Sequence, residues 1–110
     1  MSLPKYASID GEIVEWENAK VHVASAAFKF GTAVFEGLRG YWNSDEEQMY
    51  LFRMEDHMQR FEFSQRFMRF NEIYTAETVT QQTVKLIQAN KFKGANLHIM
   101  TTSYVSGMGG

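Results

Sequence analysis

The run from Ala33 to Trp42, Ala-Val-Phe-Glu-Gly-Leu-Arg-Gly-Tyr-Trp, restricts what this chain can fold into more than any other stretch. Its apolar spacing predicts a long β-strand. Successive side chains of a strand point to opposite faces, so Val34, Glu36, Leu38 and Gly40 share one side and Phe35, Gly37, Arg39 and Tyr41 the other. A carboxylate and an arginine are thus expected to be buried on opposite faces, which is unusual for a plain structural strand. Asn43 to Glu47 reads as a turn, and Gln48 to Arg53 returns as the partner strand. A helix over Met54 to Arg69 follows directly, because His57, Met58, Phe61, Gln65 and Met68 recur at three- and four-residue steps. Glu55 and Asp56 in its first turn and Arg66 and Arg69 in its last complement the helix dipole.

The flanking segments complete an α+β pattern. Tyr6 to Trp16 reads as a β-hairpin, with Asp10-Gly11 as a two-residue turn whose positions tolerate positive φ. Glu17 to Lys20 is a loop, Val21-His22-Val23 a short extended piece, and Ser25 caps a helical turn through Phe28. Thr75 is the expected N-cap of a second helix over Ala76 to Asn90, with Val79, Thr83, Leu86 and Ile87 on one face; Lys93-Gly94 breaks it. Ala95 to Tyr104 is β-rich. The expected fold is one domain over residues 5–110, an antiparallel sheet with two helices, preceded by a leader or disordered segment over residues 1–4.

Composition removes several function classes. The chain of 110 residues has no cysteine, so disulfide frameworks, thiolate zinc sites and cysteine nucleophiles are excluded. A net charge of −2 offers no electrostatic basis for a nucleic-acid partner. No apolar run approaches the roughly 20 residues a membrane-spanning helix needs. The N-terminus lacks the charged-then-apolar pattern of a secretion signal, so a cytoplasmic location is expected. His22, His57 and His98 are too scattered to form a metal site. Nine Phe and seven Met form a large soft apolar inventory, enough to supply a core and to leave a surface for a second domain or subunit.

Phe30-Gly31-Thr32-Ala33-Val34-Phe35-Glu36-Gly37-Leu38-Arg39, followed by Phe52-Arg53 and His57-Met58-Gln59-Arg60, resembles the signature of the class IV, or fold type IV, pyridoxal-phosphate aminotransferases. Among these the match is most like the N-terminal domain of the branched-chain amino-acid aminotransferases. The resemblance is specific from Ala33 to Arg60 and looser after Phe70. It implies that Arg60 holds the cofactor phosphate, a task suited to a planar guanidinium that stays charged. It also implies that Phe35 forms a wall of the substrate side-chain pocket, with Arg39 bordering it on the same strand face. By spacing alone Arg60 is a solvated helix arginine, Phe35 a core residue and Arg39 a partner for a nearby carboxylate.

Two positions depart from the branched-chain pattern. Phe30 stands where that pattern has a tyrosine that reaches across the dimer into the neighbouring active site. His98 stands where the pattern has a carboxylate-facing arginine, if Gly107-Met108-Gly109 is aligned with the family's Gly-Met-Gly. An imidazole is a weaker and pH-dependent carboxylate partner. The family's cofactor-bonding lysine lies beyond position 110, and Lys5, Lys20, Lys29, Lys85, Lys91 and Lys93 match no such position. The resemblance therefore implies an enzyme that transfers an amino group between a branched-chain L-amino acid and 2-oxoglutarate as a homodimer. No catalytic residue is assigned to this chain, which is expected to be inactive without the C-terminal domain. D-amino-acid aminotransferase, an aminodeoxychorismate lyase-like enzyme, and a non-catalytic binding module of the same fold are the alternatives.

Overall fold

A computed structural model describes residues 3–107; Met1, Ser2, Met108 and Gly109, which bear on the expected leader and on the Gly-Met-Gly alignment, lie outside the described residues. Strands β1 (Tyr6–Ile9) and β2 (Glu12–Glu15) form the expected hairpin, in register from Tyr6↔Glu15 to Ile9↔Glu12. Asp10 and Gly11 close it at φ 51° and 81°, the positive values that match the twist of the flanking strands. A 3-10 turn covers Trp16–Asn18. Val21 to Val23 is no strand: His22 Nδ1 accepts the Ala24 N–H at 2.9 Å and turns the chain. Ser25 Oγ accepts the Phe28 N–H and caps α1 (Ala26–Phe30). The helix runs past Phe28 to Phe30 because Gly31, at φ 67°, carries its N–H back to the Ala27 carbonyl.

The long strand is β3 (Ala33–Asn43), centre of a three-stranded antiparallel sheet in the order β4-β3-β5, with β4 (Gln48–Leu51) and β5 (Leu97–Tyr104). β5 pairs with β3 from Ala33↔Tyr104 to Gly40↔Leu97, whereas β4 reaches only from Asn43↔Gln48 to Gly40↔Leu51. β4 is two residues shorter than expected, because Arg53 adopts φ 51° to launch α2 (Met54–Phe67). That helix also stops early, and Arg69 at φ 57° begins the connection to α3 (Ala76–Asn90). Thr75 caps α3 as expected, while Lys91 in the left-handed region ends it before Lys93-Gly94. One expected sheet and two helices thus become two sheets and three helices. The β1–β2 hairpin is held to the end of α3 instead: Asn90 Oδ1 accepts the N–H groups of Lys5 and Tyr6, and Nδ2 donates to the Tyr6 carbonyl.

α2 covers one face of the sheet, and the core lies between them. Leu38 of β3, Met58 and Phe61 of α2 and Val79 of α3 are buried together, with Val34, Leu51, Met54, Tyr74 and Ile99 around them. Gln65 is buried with them because it replaces backbone partners: its amide donates to the Tyr74 carbonyl at 2.9 Å and accepts the Tyr74 N–H at 2.8 Å. Met68, just beyond the helix, is exposed. Gly40 leaves room for its neighbours: a Cβ there would stand 3.1 Å from Met49 Sδ and 3.3 Å from Leu51 Cδ2, close enough that those side chains would have to shift. The other sheet face is bare, with Phe35, Tyr41, Tyr50 and Met100 exposed on it. Among the described residues no helix is long and apolar enough to cross a membrane.

Leu38→Ala should destabilise the fold by about 2–5 kcal/mol, since the cavity forms between sheet and helix; urea unfolding measures it. Glu62 links the two long helices: its carboxylate accepts the Ala76 N–H at 2.8 Å and pairs with Arg66 at 3.1 Å. The Ala76 N–H, followed by Arg66, holds this carboxyl below its usual range. Its stabilisation is therefore complete above the unfolded pKa and is lost as pH falls through the lower folded value. Glu62→Ala should accordingly lower the melting temperature at neutral pH, and the gap to wild type should narrow as pH falls through the lowered folded value, as followed by circular dichroism.

Candidate functional site

The alternation of β3 places Glu36 on the covered face, between Val34 and Leu38. There it is 5% exposed, and a carboxylate so placed needs charged or donating partners. Residues three apart on a helix face the same way, and α2 turns His57 and Arg60 toward this carboxylate. Arg60 binds it with two N–H groups, Nε to Oε2 at 2.6 Å and Nη2 to Oε1 at 2.8 Å. His57 Nδ1 lies 2.8 Å from Oε1. The Arg60 guanidinium, aided by His57 and opposed by burial, holds the Glu36 carboxyl below its usual range. An ionised carboxylate only accepts, so Nδ1 is the protonated nitrogen and Nε2 of His57 points away from it. The same contact raises the Arg60 pKa further.

The network is buried at its acidic end and open at its basic end. The Arg60 side chain is 67% exposed although two of its nitrogens are engaged. Nη1, the remaining corner of the fork, lies on the side away from Glu36. The site can therefore direct N–H groups at an external oxyanion while its own carboxylate stays fixed behind them.

Across the sheet, the bare face gathers three of the residues singled out from the sequence. Phe35 and Arg39 lie four residues apart on β3, and His98 of β5 stands directly opposite Arg39. All three are exposed. Arg39 is therefore not buried as expected, because α2 covers only the Glu36 face, and among the described residues no carboxylate pairs with it. The His98 ring lies over Gly37, with Nε2 3.2 Å from where a Cβ at 37 would stand. Phe30, the fifth such residue, projects from the end of α1 with Lys29 Nζ 5.3 Å from its ring centre. α1 is tied to the chain after β5 through Ala26 N–H to the Gly107 carbonyl and Ala27 N–H to the Val105 carbonyl. Phe30 thus sits at the end of the sheet where β3 begins.

Arg60 and Phe35 are on opposite faces, but Phe35 directly precedes Glu36 in β3. The two groups of side chains are consequently one peptide apart, about 3.8 Å between Cα atoms. Glu36 and His57 are the site residues to which no role was assigned in advance, although Glu36 was expected to be buried. The signal for them was a single acidic residue on an otherwise apolar strand face, together with the three-residue spacing of His57 and Arg60.

No protein-family model matches the chain. A probable branched-chain-amino-acid aminotransferase of Aquifex aeolicus is 36% identical over 90 residues, covering 80% of this chain and 28% of that protein. The branched-chain-amino-acid aminotransferase of Escherichia coli K12 is 35% identical over 104 residues, 94% of this chain and 33% of the relative. The crystal structure of a branched-chain aminotransferase from Thermoproteus uzoniensis with norvaline superimposes with a TM-score of 0.88 at 38% identity, over 96% of this chain and 35% of that one. The pyridoxal-phosphate form of the Thermobaculum terrenum enzyme gives a TM-score of 0.82 at 42% identity, over 92% of this chain and 33% of that one. The chain thus spans about a third of the length of the relatives it matches. Likeness in sequence and in fold runs along nearly all of it, and by both measures this chain is similar to the matching third of branched-chain-amino-acid aminotransferases.

Proposed function

We propose that residues 5–110 form the N-terminal small domain of a cytoplasmic, homodimeric pyridoxal-phosphate enzyme. That enzyme moves an amino group between branched-chain L-amino acids and 2-oxoglutarate. The observation that carries this proposal is the Arg60 guanidinium, fixed from behind by Glu36 and open in front. Such a corner fits a phosphate, which needs directed donors and permanent positive charge. When bound, pyridoxal 5′-phosphate supplies the electron sink for the transfer. The role of this domain is to hold and orient. Arg60 takes the phosphate, Phe35 offers an apolar wall to the substrate side chain, and Arg39 with His98 borders that wall with polar groups for a carboxylate. Phe30 is lent toward the partner subunit, keeping the ring of a tyrosine without its hydroxyl. The lysine that bonds the cofactor comes from the C-terminal domain, so the 110-residue chain alone turns over nothing.

In the full-length protein, Arg60→Ala should weaken pyridoxal 5′-phosphate retention by about tenfold or more, the worth of a charge-assisted contact. The cofactor-free protein should also melt at a lower temperature, because the buried Glu36 carboxylate loses its main partner, so affinity is compared at a temperature where both proteins are folded. Equilibrium titration followed by cofactor absorbance measures the first, and unchanged affinity would return Arg60 to a structural ion pair.

His98→Arg tests the other face. Arginine stays charged at every working pH, whereas imidazole does not. The substitution should raise kcat/KM for glutamate above neutral pH and leave leucine nearly unchanged. An equal effect on both substrates would make His98 structural.

A further inference from the structure

We infer that Glu36 is the positioning residue of the phosphate clamp, its buried carboxylate holding the Arg60 guanidinium so that Nη1 is presented to an oxyanion, with the His57 Nδ1–H bracing that carboxylate from the side. The inference rests on the assignment of Arg60 to the cofactor phosphate and extends it to two residues with no assigned role. Three features of the geometry carry it.

First, the carboxylate is used completely on its inner side. Oε2 takes Arg60 Nε, and Oε1 takes both Arg60 Nη2 and His57 Nδ1. Both basic groups are thereby fixed in rotation as well as in place. An unanchored arginine on a helix surface would have to order its long side chain when the anion arrives. Here the folded domain has ordered it beforehand, and preorganisation of this kind strengthens binding without adding a contact. Second, the network is not sealed as a purely structural ion pair would be. Glu36 is buried, while the side chains of His57 and Arg60 remain 23% and 67% exposed. Third, a buried ion pair is a poor stabiliser compared with apolar residues of similar volume. Val34 and Leu38, the neighbours of Glu36 on its strand face, are apolar. Stability alone gives little reason for a carboxylate between them.

The test uses the cofactor-free full-length protein and two probes, pyridoxal 5′-phosphate and pyridoxal, which differ only in the phosphate. Glu36→Gln keeps the side-chain volume but turns one oxygen into a donor facing the guanidinium. It should lower pyridoxal 5′-phosphate affinity by about tenfold and leave pyridoxal affinity unchanged. Glu36→Asp, which retains the charge and shortens the reach, should show the same selective loss, and it carries the test if the amide variant does not fold. In an Arg60→Ala background, Glu36→Gln should add less than about twofold, because the residue acts through Arg60. A full additional loss in that background would overturn the positioning role while leaving the Arg60 clamp intact. Equal losses for both probes would overturn it as well, assigning Glu36 to the fold. If Arg60→Ala itself leaves the ratio of the two affinities at the wild-type value, the clamp and the inference built on it both fall.

Discussion

Leu38 and Glu36 lie two residues apart on the covered face of β3, and α2 has to satisfy both at once. An apolar residue there asks for dry packing, and a buried carboxylate asks for donors. The helix meets the two demands with adjacent stripes, Met58 and Phe61 for the first, His57 and Arg60 for the second. The pairing sets the rotation of α2 about its axis and its position along the strand. A slip by one residue would turn His57 and Arg60 away and leave the Glu36 charge uncompensated beneath the helix. Packing and site geometry are therefore one constraint, and α3 and the β1–β2 hairpin attach outside it through Val79, Gln65 and Asn90.

The regular elements were legible because each has a strong local cause. Asp10-Gly11 supplies the positive φ of a hairpin, Thr75 and Ser25 supply caps, and the spacing of Met58, Phe61 and Gln65 supplies a helix face. The errors cluster where a left-handed residue that is not glycine ends an element. Arg53 and Arg69 have positive φ, a conformation that costs little enough at a helix end to be imposed by tertiary context. Nothing in their side chains announces it. The division into two sheets was hidden for another reason: it depends on Asn90 meeting the backbone of Lys5 and Tyr6, a contact between distant parts of the chain.

The site was legible in its members more than in its arrangement. Phe35, Arg39 and His98 share the bare face as the alternation of β3 and the register of β5 require. Arg60 required knowledge of which face the helix covers, and only that decides whether Glu36 bonds Arg60 or Arg39 is left to seek a partner. Two-residue periodicity says that two faces differ but not which one is roofed.

β4 ends opposite Gly40, and this has a consequence for the main chain of β3. Phe52 N–H reaches the Arg39 carbonyl, so the backbone groups of Arg39 turn toward the β4 side. Those of Gly37 and Phe35 turn the same way by alternation, and among the described residues no strand lies beside them. The first half of the central strand is thus a free selvedge: a row of amide donors and carbonyl acceptors beside an exposed phenylalanine. Separated from whatever covers it, such a border is a template for another extended chain. The same short stretch that specifies the site is then one of the borders at which this domain is open to strand addition.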